Sequence, residues 1–180
     1  MTFLRLLRHT EIEQQWMTRC YGQSEVGLSG AGKRAAADLV EELGEIPWKQ
    51  VVSSPLGRAL AIAAPLAVGL GLSAQVDSRL SERHFGRWEG LEWDAIYATS
   101  GNAMDGLIDN PSGFAPPGGE TTFQLRDRVI AWHRGLVGPG PILAVSHGGP
   151  IAALIGTLSN EPTAAWLSRV PPFGGWVDLP

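Results

Sequence analysis

Two short apolar runs, one near each end of the chain, each lead into a histidine. The first run, Phe3–Leu7, is followed by Arg8 and His9; the second, Ile142–Val145, is followed by Ser146-His147-Gly148-Gly149. Runs of this length are typical of buried strands. Open α/β sheets place their functional sites at the carboxyl ends of strands. The two imidazoles are therefore predicted to meet at one sheet edge and to face a common anion.

Strand and helix patterns alternate between these runs. A helix is predicted from a cap at Ser29 or a neighbour to about Leu43, where alanine and leucine dominate. A short strand at 51–53 and a helix carrying Arg58, with Pro55 in its first turn, come next. The remaining predicted elements are a weak strand at 75–77, helices at 93–99, 120–136 and 162–167, a strand–loop–helix unit at 141–158 and an extended tail at 173–179. This order predicts an α/β three-layer sandwich, with a mostly parallel sheet and helices on both faces.

The length of 180 residues fits one domain, so residues 1–180 are predicted to form a single unit. The stretch from about 80 to 119 is rich in Gly, Pro and Trp and carries no core pattern of its own. We therefore interpret it as an insertion that covers the site.

Composition and charge narrow the choice of partners. Fourteen Lys and Arg against eighteen Asp and Glu give a net charge of -4, which argues against a nucleic-acid binder. No apolar stretch approaches the ~20 residues that a membrane span needs, and Arg5 interrupts the first run, as no signal peptide would allow. With one cysteine, Cys20, the chain forms no internal disulfide, which favours a cytoplasmic location. A homodimer is left open.

Four pieces of the sequence carry the chemistry: Arg8-His9, Arg58, Glu82 and His147. Each follows a predicted strand or lies one helical turn beyond it. Arginine binds phosphate oxygens in bidentate fashion and stays charged at any working pH. The two arginines are therefore predicted to hold a phosphate monoester.

The same pieces supply a nucleophile and an acid. Neutral imidazole is a competent nucleophile near pH 7, so His9 can attack phosphorus, while a protonated His147 would stabilise the equatorial oxygens. The amides of Gly148 and Gly149 would add donors at a helix start. Glu82 is the candidate general acid for the leaving alkoxide and later the base for water. This scheme needs neither metal nor cofactor, and its partner is a small phosphate ester.

These segments resemble the histidine phosphatase superfamily, also called phosphoglycerate-mutase-like, over nearly the whole chain. Leu7–Glu11 is similar to its Arg-His-Gly-Glu motif, and Ser53–Ala59 to Ser-Ser-Pro-Leu-x-Arg-Ala. Glu82 with Phe85–Gly90, and Ser146–Gly149, complete the set. The resemblance implies a phosphoglycerate-mutase-like fold, with His9 as the phosphorylated nucleophile. It also implies that Arg8, Arg58 and His147 form the phosphate pocket. Glu82 is implied to be the general acid/base.

Further stretches resemble one branch, the α-ribazole phosphatases, which remove the 5′-phosphate from the lower-ligand nucleotide of cobalamin. They are Arg19–Val26, Trp88–Ile96, Pro116–Thr121 and Val170–Gly175. The resemblance implies α-ribazole 5′-phosphate as substrate, but broad-specificity phosphatases share several of these stretches.

Three positions depart from the pattern of the superfamily. Thr10 stands where the superfamily usually has Gly beside the nucleophile. Gln15 stands where many members have an Asn that helps to hold the phosphate, and Ile62 replaces a frequent Thr. Gln15 retains an amide, so it is a candidate substrate-binding residue.

Two alternatives to hydrolysis stay open. A phosphoglycerate-type mutase would return the phosphoryl group to substrate, although mutases of the superfamily are generally longer, with extra segments that shield the site. A non-catalytic phosphate-ester-binding regulatory module is suggested by Thr10 and Gln15. Retention of Glu82 and both histidines argues against that module, because a binder needs no general acid.

Overall fold

The computed structural model describes residues 3–138 and 140–180. It contains one five-stranded sheet in the order β3-β2-β4-β1-β5. The strands are β1 (Leu4–Arg8), β2 (Gln50–Ser53), β3 (Gln75–Val76), β4 (Ile142–Ser146) and β5 (Trp176–Leu179). The first four are parallel, and β5 runs antiparallel beside β1. The predicted α/β fold with a mostly parallel sheet is confirmed.

Helices cover both faces of this sheet. They are α1 (Gly30–Gly44), α2 (Gly57–Gly69), α3 (Trp93–Ser100), α4 (Gly106–Asp109), α5 (Thr122–Arg134) and α6 (Gly148–Leu158), with a 3₁₀ helix at Thr163–Arg169. Ser29 caps α1 by accepting a hydrogen bond from the amide of Gly32, as predicted. A capping box between Thr121 and Gln124 starts α5.

Side-chain alternation along the strands builds a core on each side. Leu4 and Leu6 of β1 point to α5 and α6, whereas Leu7 points to α1 and α2. Successive strand residues face opposite sides, so the seven apolar residues of β1 and β4 are divided between the two cores. β1 and β4 are consequently buried on both faces, and the carboxyl ends of the parallel strands meet at one edge.

The structure corrects three details of the sequence interpretation. Helix α2 begins at Gly57 with Leu56 as its N-cap, so Pro55 precedes the helix instead of occupying its first turn. The 80–119 stretch contributes to a small apolar cluster of Cys20, Trp88 and Ile96, contrary to the expectation that it has no core content. The extended tail is a regular edge strand, since β5 pairs with β1.

Candidate active site

Strand register brings the two histidines together. Arg8, the last residue of β1, lies opposite Ser146, the last residue of β4, in the parallel pairing. His9 and His147 therefore follow neighbouring strands at the same edge, and the amide of His9 donates to the carbonyl of Ser146 at 3.1 Å. Both side chains are fully buried, and their ring centroids lie 5.1 Å apart.

His9 is held in a nucleophilic form. Its Nδ1 lies 2.8 Å from the carbonyl oxygen of Thr10, which can only accept, so Nδ1 carries the hydrogen and Nε2 carries the lone pair. Nε2 is buried and has no partner. Burial, with the Arg58 and Arg8 charges, lowers the pKa of His9 to about 3. The ring is therefore neutral at pH 7.

Ser54 contacts the second imidazole. Nε2 of His147 lies 2.7 Å from the Ser54 hydroxyl, and that hydroxyl also accepts from the amide of Leu56 at 3.3 Å. Burial, followed by the Arg58 charge, holds the pKa of His147 well below its usual value, so the structure does not favour the protonated ring. When Ser54 donates to Nε2, Nδ1 carries the hydrogen and can donate to an anion without a charge on the ring.

Arg58 is buried at the start of α2, with 1% of its surface exposed. Its two terminal nitrogens donate to the carbonyls of Gly22 and Ser24, at 2.6 and 2.8 Å, and its Nε has no partner. These bonds fix the plane of the guanidinium and tie the loop before α1 to the site.

Arg8 is positioned by the segment that precedes β5. It donates to the carbonyl of Pro171 at 2.8 Å and lies 4.0 Å from the ring centroid of Phe173. Gly148 lets Val170 approach α6 beside Arg8, since a Cβ there would lie only 2.8 Å from Val170 Cγ1. The Nε of Arg8 is also buried without a partner.

Five buried side-chain nitrogens lack a hydrogen-bond partner among residues 3–138 and 140–180. They are Nε of Arg8, Nε2 of His9, Nε of Arg58, a terminal nitrogen of Arg83 and Nδ1 of His147. Unpaired buried polar groups are costly and uncommon in folded proteins. Four belong to the residues predicted to hold a phosphate. Three donors around one lone pair match a tetrahedral oxyanion, whose oxygens only accept.

Glu82 lies against the first turn of α6. Its two carboxylate oxygens accept from the amides of Arg83 at 2.7 Å and Gly149 at 3.4 Å. Arg128 of α5 holds the surrounding loop by donating to the carbonyls of Ser81 and Glu82. Glu82, Arg8, Gly148 and Gly149 line one cavity of about 380 Å³.

Gln15 is not brought to this site. Its side chain is exposed, donates to Glu13 at 3.1 Å and does not line the cavity. Thr10, by contrast, has a structural contact: its buried hydroxyl donates to the carbonyl of Gly32 at 2.8 Å, which ties the loop after β1 to α1. Burial raises the pKa of the Cys20 thiol to about 12, which leaves it unreactive.

Sequence reasoning assigned no role to Ser54, Arg83 or Phe173. Ser54 lies inside the Ser53–Ala59 motif and Arg83 directly follows Glu82, and these positions are the sequence signals for the two residues. The contact of Phe173 with Arg8 depends on the pairing of β5, and no local pattern indicates that.

Across residues 3–138 and 140–180, no group of three or more His, Cys, Asp or Glu side chains is placed to hold a metal ion. Within the same ranges, every helix is too short or too polar to cross a bilayer.

Comparison with known proteins assigns the family. Residues 4–173 match the Histidine phosphatase superfamily (branch 1). A glucosyl-3-phosphoglycerate phosphatase from Mycolicibacterium vanbaalenii is 32% identical over 191 residues, covering 98% of this chain and 83% of that protein. A probable phosphoglycerate mutase from Salmonella choleraesuis is 30% identical, over 91% and 77% of the two chains. The chain belongs to the histidine phosphatase superfamily and is an enzyme of the phosphatase class, as its motifs predicted.

Solved structures agree with this assignment. The mycobacterial glucosyl-3-phosphoglycerate phosphatase in complex with VO3 superposes with a TM-score of 0.85 at 32% identity, covering 99% of this chain and 92% of the other. Bacillus stearothermophilus YhfR gives a TM-score of 0.89 at 26% identity, with coverages of 100% and 91%.

Proposed function

We propose that this protein hydrolyses a small phosphate monoester through a phosphohistidine at His9. The observation that carries the proposal is that nitrogens of Arg8, His9, Arg58 and His147 are buried without partners, with the two imidazole centroids 5.1 Å apart. Arg8, Arg58 and His147 supply donors for the phosphate oxygens, and their preorganisation is worth most where water is excluded.

The reaction has two balanced steps. Nε2 of His9 attacks phosphorus, the bond from phosphorus to the ester oxygen breaks, and Glu82 gives its proton to the departing alkoxide. Glu82, now ionised, takes a proton from water as that water attacks phosphorus and the bond between phosphorus and Nε2 of His9 breaks. Inorganic phosphate leaves, and both side chains return to their starting states.

For the substrate, α-ribazole 5′-phosphate is our specific proposal, supported by the four stretches that resemble α-ribazole phosphatases. The mycobacterial relatives are named for glucosyl-3-phosphoglycerate, which makes that ester the natural competitor in a substrate panel. A broad-specificity phosphatase would hydrolyse many panel members at similar kcat/KM. A preference for α-ribazole phosphate of less than about tenfold would contradict the specific proposal.

The second candidate is a phosphoglycerate-type mutase, favoured by the relative named as one. Transfer of labelled phosphate between glycerate positions, without release of free phosphate, would establish it in place of hydrolysis.

Hydrolysis of p-nitrophenyl phosphate in the presence of EDTA tests the proposed reaction. We expect activity in wild type, none in His9→Ala and unchanged activity in His133→Ala, a matched control in α5. Activity that persists in His9→Ala would show that another group is the nucleophile. Tight phosphate-ester binding without turnover in wild type would instead identify a regulatory module.

A further inference from the structure

The cavity that begins at the phosphate site is much larger than a phosphate. Its volume is about 380 Å³, whereas a water molecule has a share of roughly 30 Å³ in the liquid, so a phosphate needs on the order of 100 Å³. Arg8, Glu82 and Gly148 belong to the lining of the same cavity. The leaving group of any ester bound there must therefore extend into the remaining space.

One wall of that space comes from the 80–119 stretch and is apolar. It is formed by Trp93 of α3, Met104 of the following turn, and Leu107 and Ile108 of α4. Trp93 packs edge-on against Phe85, which also lines the cavity, with ring centroids 5.8 Å apart. A planar ring on this wall would contact aromatic and aliphatic carbon.

A second group of lining residues is apolar as well. It consists of Ala152 and Ala153 of α6, Trp166 of the 3₁₀ helix and Val170 after it. The indole nitrogen of Trp166 donates to the carbonyl of Glu161, so the ring presents carbon to its surroundings. The alanine side chains are small, so they leave more of the cavity open to a leaving group than larger residues would.

Two polar side chains of the lining are engaged by the protein. The hydroxyl of Thr122 donates to the carbonyl of Leu107 at 2.6 Å, and Arg19 donates to the Gly90 carbonyl and pairs with Glu92 at 2.8 Å. Arg83, which follows Glu82 in the chain, keeps one buried terminal nitrogen without a partner. A sugar or glycerate leaving group would lose hydrogen bonds to water against the apolar lining residues, which offer none in return.

The apolar part of the cavity is called the slot and is lined by Trp93, Met104, Leu107, Ile108, Ala152, Ala153, Trp166 and Val170. We propose that the slot selects phosphomonoesters whose leaving group ends in a flat apolar ring system, over esters of sugars and glycerate. The inference rests on the proposed phosphatase reaction and names the substrate class for it. The base of a nucleotide such as α-ribazole 5′-phosphate is one such ring system. A glycosyl glycerate, as in the name of the mycobacterial relatives, is not.

Three alkyl phosphates test the slot with leaving groups of the same chemical type. They are 2-phenylethyl phosphate, ethyl phosphate and glycerol 3-phosphate, and each releases a primary alcohol. Each methylene-sized group in an apolar pocket changes specificity roughly 10–200-fold. We expect kcat/KM for the phenylethyl ester to exceed that for the other two by at least about 100-fold. Equal values for the three esters would overturn the proposal.

Variants of the wall locate the preference. Trp93→Ala and Met104→Gln should each reduce the phenylethyl-to-ethyl ratio by roughly tenfold, with little change for ethyl phosphate. Met104 is 40% exposed, so its replacement should leave folding intact. Tyr97→Ala truncates an exposed aromatic residue on α3, the helix that carries Trp93, and should leave the phenylethyl-to-ethyl ratio unchanged. Ratios that respond equally to all three variants would refute the assignment of the slot.

A binding measurement separates this inference from the reaction on which it rests. Calorimetry with 2-phenylethylphosphonate and ethylphosphonate requires no turnover. If the phenylethyl compound binds selectively and Met104→Gln weakens that binding, the slot is supported. This holds even if no ester is hydrolysed, because then only the proposed reaction fails. Equal affinities would overturn the slot even if hydrolysis is rapid.

Discussion

Replacing Glu82 with glutamine separates proton transfer from phosphate binding. The substitution keeps the side-chain volume, and the amide oxygen can still accept from the Arg83 amide at 2.7 Å. It cannot also keep the contact with the Gly149 amide, but that contact is long, at 3.4 Å. Loss of this weak bond should cost about 1 kcal/mol or less, which corresponds to a fall in melting temperature of roughly 2–4 °C.

The effect on catalysis should depend on the leaving group. A poor leaving group such as a primary alkoxide needs the proton of Glu82, so Glu82→Gln should lower kcat/KM by about 10²–10⁴ for ethyl phosphate. p-Nitrophenolate leaves without a proton, so its kcat/KM should fall by less than about tenfold. The ratio of the two losses measures the general-acid contribution alone.

Pre-steady-state kinetics adds a second readout. In the proposed mechanism Glu82 is the base for hydrolysis of the phosphohistidine, so Glu82→Gln should release about one p-nitrophenol per active site rapidly and then turn over slowly. The matched control is Glu25→Gln, an exposed carboxylate that accepts from the Gly57 amide at the start of α2. Equal losses for both esters, with no burst, would refute the acid–base role of Glu82.

Three further outcomes follow from the site. Arg58→Met leaves the buried carbonyls of Gly22 and Ser24 without a donor, which should cost about 1–3 kcal/mol each and lower the urea midpoint. The variant should also lose vanadate binding, and unchanged vanadate affinity would contradict the role of Arg58 in holding the phosphate. Ser54→Ala should lower kcat more than it changes KM, with rescue by Ser54→Thr, because Ser54 orients His147 and a merely structural role would not be rescued this way. Burial depresses the pKa of His9 to about 3, so below about pH 6.5 the unfolded state binds a proton at this residue that the folded state does not. Without phosphate, His9 should therefore contribute a fall in the free energy of unfolding of up to ~1.4 kcal/mol per pH unit from about 6.5 towards 3. His147, whose pKa burial also lowers, should add a fall in the same direction. The urea midpoint should follow this fall, less steeply in His9→Asn, and a flat urea midpoint would contradict the buried neutral ring.

The sheet and the converging histidines could be predicted because they depend on local patterns. Apolar runs before His9 and His147 mark strands that are buried on both faces, and strand–helix alternation fixes their parallel direction. Parallel register then brings the two carboxyl ends together without any information about loops.

The rest of the site depends on contacts between distant segments. The carbonyls of Gly22 and Ser24 orient the Arg58 side chain, and the carbonyl of Pro171 orients that of Arg8. Because these partners are distant in the sequence, the residues next to each arginine do not indicate its orientation. The position of Gln15 could not be derived from the sequence for the same reason, and its role as a ligand stays a prediction. Its direction is set by a short 3₁₀ turn in a long loop, where one position in a motif does not determine what the side chain contacts.

The most direct test of the phosphohistidine is to trap it. Wild-type protein and Glu82→Gln would be mixed with ³²P-labelled substrate, quenched within milliseconds in alkali and digested with trypsin, which cleaves after Arg8 and Arg19. Label that is stable to alkali, labile to acid and confined to the His9–Arg19 peptide, at a higher level in Glu82→Gln, is the result we predict. Label on any other peptide, or catalysis with no labelled protein, would contradict the proposal that His9 carries the phosphoryl group.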